Sequence, residues 1–105
     1  MTVHFNDDEV RLMKKAHEKW GAASQVGMAV EECAELIVAL QKYINRTPKP
    51  DTIDNVLSEI ADVEIMLAQM RVVLDISDAA LRKRMEEKLE RLHIIFKDEC
   101  FERGE

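Results

Sequence analysis

"GMAVEECAELIVAL", residues 27–40, sets three acids, Glu31, Glu32 and Glu35, in a stretch that is otherwise small or apolar. As a helix it can be laid on a wheel at about 100° per residue. With Glu35 at zero, Glu31 falls at roughly -40° and Glu32 at roughly +60°, so the three acids form one arc. Met28 and Ala39 fall inside that arc, at roughly +20° and +40°. The opposite face, with Cys33, Ile37, Leu40 and Ile44, is apolar as well. A helix apolar on most sides is expected to be buried rather than to lie on a surface.

"EIADVEIML", residues 59–67, repeats the arrangement. With Asp62 at zero, Glu59 lies at roughly +60°, while Met66, Met70 and Val73 span roughly +20° to +80°. Ile60, Val63 and Leu67 cover the other side. Two acidic arcs therefore point into apolar surroundings on the two longest apolar helices. A lone acid pair at i, i+3 is ordinary surface charge. Two such pairs on the apolar lines of neighbouring helices are not.

The rest of the chain frames these helices. Gly and Pro are scarce, while Met, Leu, Ala, Glu, Lys and Arg dominate, which favours helix. A first helix is predicted from Asn6, where Asn6 and Glu9 have capping-box spacing, to Trp20, with a break at Gly21. A second runs from Ala22–Ser24 to Arg46 and stops before "TPKP". The third opens at Asp51 or Thr52 and ends near Leu74. Ser77 and Asp78 cap a fourth, which carries Leu81, Met85, Leu89, Leu92 and Phe96 at three- and four-residue spacing. The tail from residue 98 is expected to fray. Short connections favour antiparallel neighbours. The expected fold is thus one all-α domain, an antiparallel bundle of about four helices, completed by oligomerisation because so short a chain buries little surface alone.

Charge and composition exclude several classes of function. A formal net charge of -6 disfavours a nucleic-acid polymer, which demands basic surface. No apolar run reaches the roughly 18–20 residues of a membrane span, and "MTVHFNDDEV" has no signal pattern, so a cytoplasmic location is the default expectation. Cys33 and Cys100 lack metal-ligand spacing and read as reduced thiols, with Cys33 packed opposite the acids. Four carboxylates within about 4–5 Å of one another repel by an amount comparable with the net stability of a small domain. Protons or cations must offset that repulsion, and oxygen-only ligands select hard ions such as Mg²⁺ or Mn²⁺. A di-iron bundle would place a Glu-x-x-His motif on its helices, and His4, His17 and His93 do not provide one. His17 reads as an exposed helix residue.

Glu31-Glu32-x-x-Glu35, followed after 23 residues by Glu59-x-x-Asp62, resembles the two-part motif of the all-α nucleoside triphosphate pyrophosphohydrolases. That superfamily includes MazG-like, dimeric dUTPase-like and phosphoribosyl-ATP pyrophosphatase groups. The stretches "WGAASQVGMAVEECAELIVALQKYINR" and "NVLSEIADVEIMLAQM", with "EEKLERL" in the last helix, look like a short single-domain MazG-like member. The resemblance covers roughly residues 17–95.

It implies hydrolysis of an NTP or dNTP between the α and β phosphates, releasing a monophosphate and pyrophosphate with Mg²⁺. Carried over by position, Glu32, Glu35, Glu59 and Asp62 would hold metal. Glu31 would orient the attacking water or stand behind the ligands. Arg84, Lys88 and Arg91 would reach phosphate oxygens, with ion pairing to Glu86, Glu87 and Glu90 as the plain alternative. Trp20 would stack on the base and Gln25 would read its edge. Members of the family assemble as homodimers or homotetramers.

The residues fit this chemistry independently. A triphosphate is repelled by an acidic pocket unless bridging cations intervene, and such ions both activate water and neutralise a pyrophosphate leaving group. Two other readings stand beside it. Phosphoribosyl-ATP pyrophosphatases carry an aromatic–His pair after the second motif's Asp, where this chain has "DVEIML". A non-catalytic helical module would have no need to keep every acid.

Overall fold

The computed structural model of the chain describes residues 5–45 and 49–102, with side chains described as far as residue 97. It is all-α: α1 spans Asp7–Asn45, α2 spans Pro50–Val73 and α3 spans Asp78–Glu102, with no strand among the described residues.

The helix starts follow local chemistry. Asn6 and Glu9 form the expected capping box: the Glu9 amide donates to Asn6 Oδ1 at 2.9 Å and the Asn6 amide to Glu9 Oε1 at 2.8 Å. Ser77 caps α3, its Oγ accepting from the Ala80 amide at 3.1 Å. The start of α2 differs from expectation. Its N-cap is Lys49, with Pro50 as the first helical residue, rather than Asp51 or Thr52. Pro at that position has its φ already set for helix and lacks only an amide that would go unbonded anyway. The helix thus begins without a side-chain cap.

The expected first two helices follow one another directly within α1, divided at the predicted position, so three elements stand where about four helices were predicted. The break at Gly21 survives as a kink, with φ 84° and ψ 164°. That region of backbone space is essentially reserved for glycine. Helical geometry resumes directly on both sides, so one residue turns the chain without a loop. α2 closes with the Leu74 amide on the Met70 carbonyl at 2.9 Å and Asp75 in a left-handed conformation, φ 52°. α3 is helical to Glu102; the rest of the tail expected to fray, residues 103–105, lies outside the described residues, as do Arg46 and "TP" of 47–48.

Two compact units result, one containing α1 and α2 and the other α3. Within the first, α1 and α2 pack along a single seam. Between residues 22 and 45 only Gln25, Ala29, Glu32, Leu36 and Ala39 are not exposed, a strict four-three alternation. Its counterpart on α2 is Thr52, Val56, Glu59, Val63 and Met66. This is the seam of two helices crossing at a shallow angle. Glu32 meets Glu59, and Met13 shares a groove with Ile65 and Gln69, so the partner number rises along α2 as it falls along α1. The pair is antiparallel.

The expectation that the acid-bearing helix is buried on most sides is not met. Ile37 is 60% exposed, Ile44 72% and Leu40 40%, and Cys33 is exposed rather than packed. A two-helix unit covers one stripe on each helix, and these helices each carry two. In the second unit, Leu81, Met85, Leu89, Leu92 and Phe96 form the predicted stripe along α3; Leu81 is half-buried and the other four are exposed. Among the described residues, no helix is long and apolar enough to cross a membrane.

Candidate metal centre

Along the α1–α2 seam, Glu32 sits between Ala29 and Leu36 and Glu59 between Val56 and Val63, and they are its only two acids among the described residues. Each of these occupies a seam position, so the helix geometry that packs Ala29 and Leu36 also turns these carboxylates toward the facing helix. Glu35 and Asp62 stand three residues further along their helices, about 60° round from the seam. Both are exposed, at the mouth of the cleft.

One carboxylate oxygen from each of Glu32, Glu59 and Asp62 lies within 4.8 Å of the other two. Glu35 is near enough for its charge to raise the carboxyls of both Glu32 and Glu59. Three of the four acids expected to act together, Glu32, Glu59 and Asp62, therefore form one group, with Glu35 as a charged neighbour beside it. Glu31, on the same arc of α1, is exposed and does not belong to the cluster.

Loss of water around Glu32, then the neighbouring charges of Glu35, Asp62 and Glu59, hold its carboxyl above the ordinary value of 4.5. Glu59 is raised for the same reasons, with Glu35 and Asp62 as its charged neighbours. Glu32 Oε2 and Glu59 Oε2 are both buried without a hydrogen-bond partner. A carboxylate oxygen in that condition is expensive to keep, and it calls for a proton or a cation. The donor set consists of carboxylate oxygens alone and suits a hard divalent ion of the Mg²⁺ or Mn²⁺ kind.

The other candidate residues fall elsewhere. Trp20 is 54% exposed, immediately before the Gly21 kink, with Lys19 Nζ 5.7 Å from its ring centroid. Its ring helps to line a largely apolar cavity of about 520 Å³ with Phe5, Leu12, Met13 and Ile65, rimmed by Glu9, Lys15 and Lys19. No motif pointed to this cavity, because its walls come from the first turns of α1 and the last turns of α2. Gln25 is wholly buried in the seam: its Nε2 contacts Met28 Sδ at 3.9 Å, and its Oε1 has no partner. His17, expected to be exposed, is half-buried with Nδ1 unpartnered.

Arg84, Lys88 and Arg91 are exposed on α3, in the second unit. Arg84 Nε pairs with Glu87 at 3.5 Å and Arg82 Nε with Glu86 at 3.1 Å, so part of this helix has the surface ion pairing its sequence allows. Comparison of the chain with protein-family models, with curated proteins and with solved structures finds no match.

Proposed function

We propose that the chain is a Mg²⁺-dependent nucleoside triphosphate pyrophosphohydrolase, converting an NTP or dNTP to the monophosphate and pyrophosphate. The observation that carries this reading is the grouping of Glu32, Glu59 and Asp62, with Glu35 as a charged neighbour and two buried carboxylate oxygens unpartnered. These four acids would hold the divalent ion. When bound, it would neutralise the carboxylates, accept phosphate oxygens and supply an activated water.

This chain's own residues set the remaining requirements. Glu32 and Glu59, fixed by the seam, define the floor of the cleft, while Glu35 and Asp62 at its mouth meet the substrate side. Glu31, exposed on the same arc of α1, would orient the attacking water or stand behind the ligands. Trp20 offers a half-exposed ring for the base, beside an apolar cavity. Gln25 would have to turn out of the seam to read a base edge. Arg84, Lys88 and Arg91 are the cations proposed for phosphate, and the working form is a homodimer or homotetramer.

The test is direct. The protein is incubated with Mg²⁺ and a panel of ordinary and damaged NTPs and dNTPs, with pyrophosphate and phosphate release measured separately. Pyrophosphate release that disappears in Glu59→Gln is the expected result. Absence of release across the panel, or full activity in Glu59→Gln, would remove the proposal.

A further inference from the structure

The cavity beside Trp20 has walls of a different chemistry from the acid cleft. Phe5 just ahead of α1, Leu12, Met13 and Trp20 within it, and Ile65 on α2 put carbon surface around about 520 Å³. Small-molecule sites commonly enclose roughly 300–1,000 Å³, so the cavity is of that class. Met13 is buried, whereas Leu12 is 68% exposed and Trp20 54%, so water meets apolar surface that a ligand would cover.

Its polar groups are few. Gln69, half-buried on α2, has no hydrogen-bond partner among the described residues. The α1 side carries Glu9, Lys15 and Lys19. Glu9 is committed to the capping box, where its Oε1 accepts from the Asn6 amide at 2.8 Å. Lys15 has no ion-pair partner among the described residues, and Lys19 has only the Trp20 ring, with Nζ 5.7 Å from its centroid. The two lysines stand four residues apart on one face of α1, where like charges repel. An anion between them would relieve that repulsion.

This set of groups argues against a nucleobase as the occupant. A base edge carries several donors and acceptors, and apolar walls would strip them of water with one amide in return. A neutral base also gains nothing from two ammonium groups. A carbon body with a single anionic group loses little on entry and meets both cations. Phe5 and Trp20 favour an aromatic body, because ring pairs gain beyond the area they bury.

We propose that the cavity binds a small aromatic carboxylate, with its rings against Trp20 and its carboxylate between Lys15 and Lys19. Ile65 and Gln69 stand three and seven residues beyond Asp62, within about 60° of it around α2 and roughly 5–10 Å further along. The cavity therefore opens on the side of α2 that carries the cleft mouth. Its occupant takes the ring proposed for the base and so would inhibit the proposed hydrolysis. That inhibition rests on the proposed function; the binding does not.

The test uses the full chain without metal or nucleotide, so it stands whether or not the chain is a hydrolase. Naphthylacetate and the uncharged naphthylethanol are titrated by calorimetry at low salt. The carboxylate is expected to bind roughly tenfold more tightly than the alcohol, in keeping with hydrogen bonds to charged groups. It should also change the emission of Trp20, the sole tryptophan. Lys15→Ala combined with Lys19→Ala should abolish the preference, while Lys14→Ala, outside the lining, should keep it. Ala16→Phe, which fills the cavity, should end binding of both probes. Should that variant fail to fold, the exposed lysine variants decide alone. Equal affinity for the two probes overturns the proposal, as does binding of neither, or a preference that survives loss of both lysines. So does a nucleoside monophosphate that binds as tightly as naphthylacetate and moves Trp20 emission equally, because the cavity then belongs to the base.

Discussion

Glu32 and Glu59 face one another across the α1–α2 seam, and in both the Oε2 atom is buried without a hydrogen-bond partner. Neither acid can be there for packing. Ala, Leu or Met would continue the apolar run from Ala29 to Leu36 on α1 or from Val56 to Val63 on α2, so both carboxylates oppose the seam that holds them. Replacing either by Gln removes a charge and keeps the shape. Glu32→Gln and Glu59→Gln are each expected to lower Mg²⁺-dependent pyrophosphate release by on the order of 100-fold or more, as loss of a ligand should exceed the cost of losing an outer partner. Thermal melting of the metal-free protein should move upward in the same variants. Unchanged turnover with a lowered melting temperature would assign both residues to structure.

Acidity supplies a second test. The folded-state pKa values of Glu32 and Glu59 are raised above 4.5, so the folded chain holds these protons more tightly than the unfolded one. The stability tied to them is fully present below the ordinary carboxylate value and is lost as pH rises through the raised values. Melting temperatures of the metal-free protein and of Glu59→Gln should converge near pH 4.5 and separate toward pH 8, with the Gln variant the more stable. A gap constant over that range would show that crowding and desolvation do not act on Glu59.

Divalent ions should reverse this penalty. An ion that binds the folded cleft and not the unfolded chain stabilises by mass action, about 2.7 kcal/mol at one hundred times its dissociation constant. Titration with Mg²⁺ or Mn²⁺ at pH 7.5 should raise the melting temperature of the parent protein to a plateau. In an Asp62→Asn, Glu59→Gln double variant the curve should flatten. Equal stabilisation of both proteins would mean that the ions act at other surface acids.

The residues that made the fold legible are those whose effects are local. Asn6 with Glu9, Ser77, and Gly21 each act within one turn of chain, so spacing alone identified the two caps and the break. The acid cluster was legible for a related reason: the wheel places Glu32 with Glu35 and Glu59 with Asp62, and one seam joins the pairs. What escaped was set by the limits of a single chain. Cys33, Ile37 and Leu40 were expected inside because they are apolar, but two helices can cover only one of the two stripes on each. The cavity beside Trp20 was invisible because Phe5 and Ile65 are sixty residues apart in sequence. Lys49 and Pro50 displaced the better side-chain caps because a fixed φ at the first helical position outweighed one hydrogen bond.

The capping box at the head of α1 is exposed, so its contribution can be read without repacking the interior. Asn6→Ala removes the acceptor for the Glu9 amide and leaves the helix start unsatisfied. A loss of about 1 kcal/mol in chemical denaturation is expected, and Asn6→Asp or Asn6→Ser should restore most of it. An unchanged midpoint for Asn6→Ala would mean that the first turns of α1 contribute little to the cooperative unit.

Gly21 and Gly27 lie six residues apart on α1, and the same substitution should act on them with opposite sign. A methyl group added at either meets nothing within 4 Å, so sterics with neighbours do not separate them. Backbone conformation does. Gly21 sits at φ 84° and ψ 164°, where any other residue is strained by on the order of 1–3 kcal/mol. Gly27 is within regular helix, and there alanine reduces the freedom of the unfolded chain and gains about 0.4–1 kcal/mol. Gly27→Ala should therefore raise the denaturation midpoint and Gly21→Ala should lower it. The kink also sets the direction of the α1 segment that carries Trp20 and the cavity, so Gly21→Ala should disturb that end of the hairpin while Glu32 and Glu59 stay in register. Intrinsic Trp20 fluorescence should shift in Gly21→Ala and not in Gly27→Ala. A parallel response of the two variants, in stability or in fluorescence, would mean that α1 runs straight through Gly21.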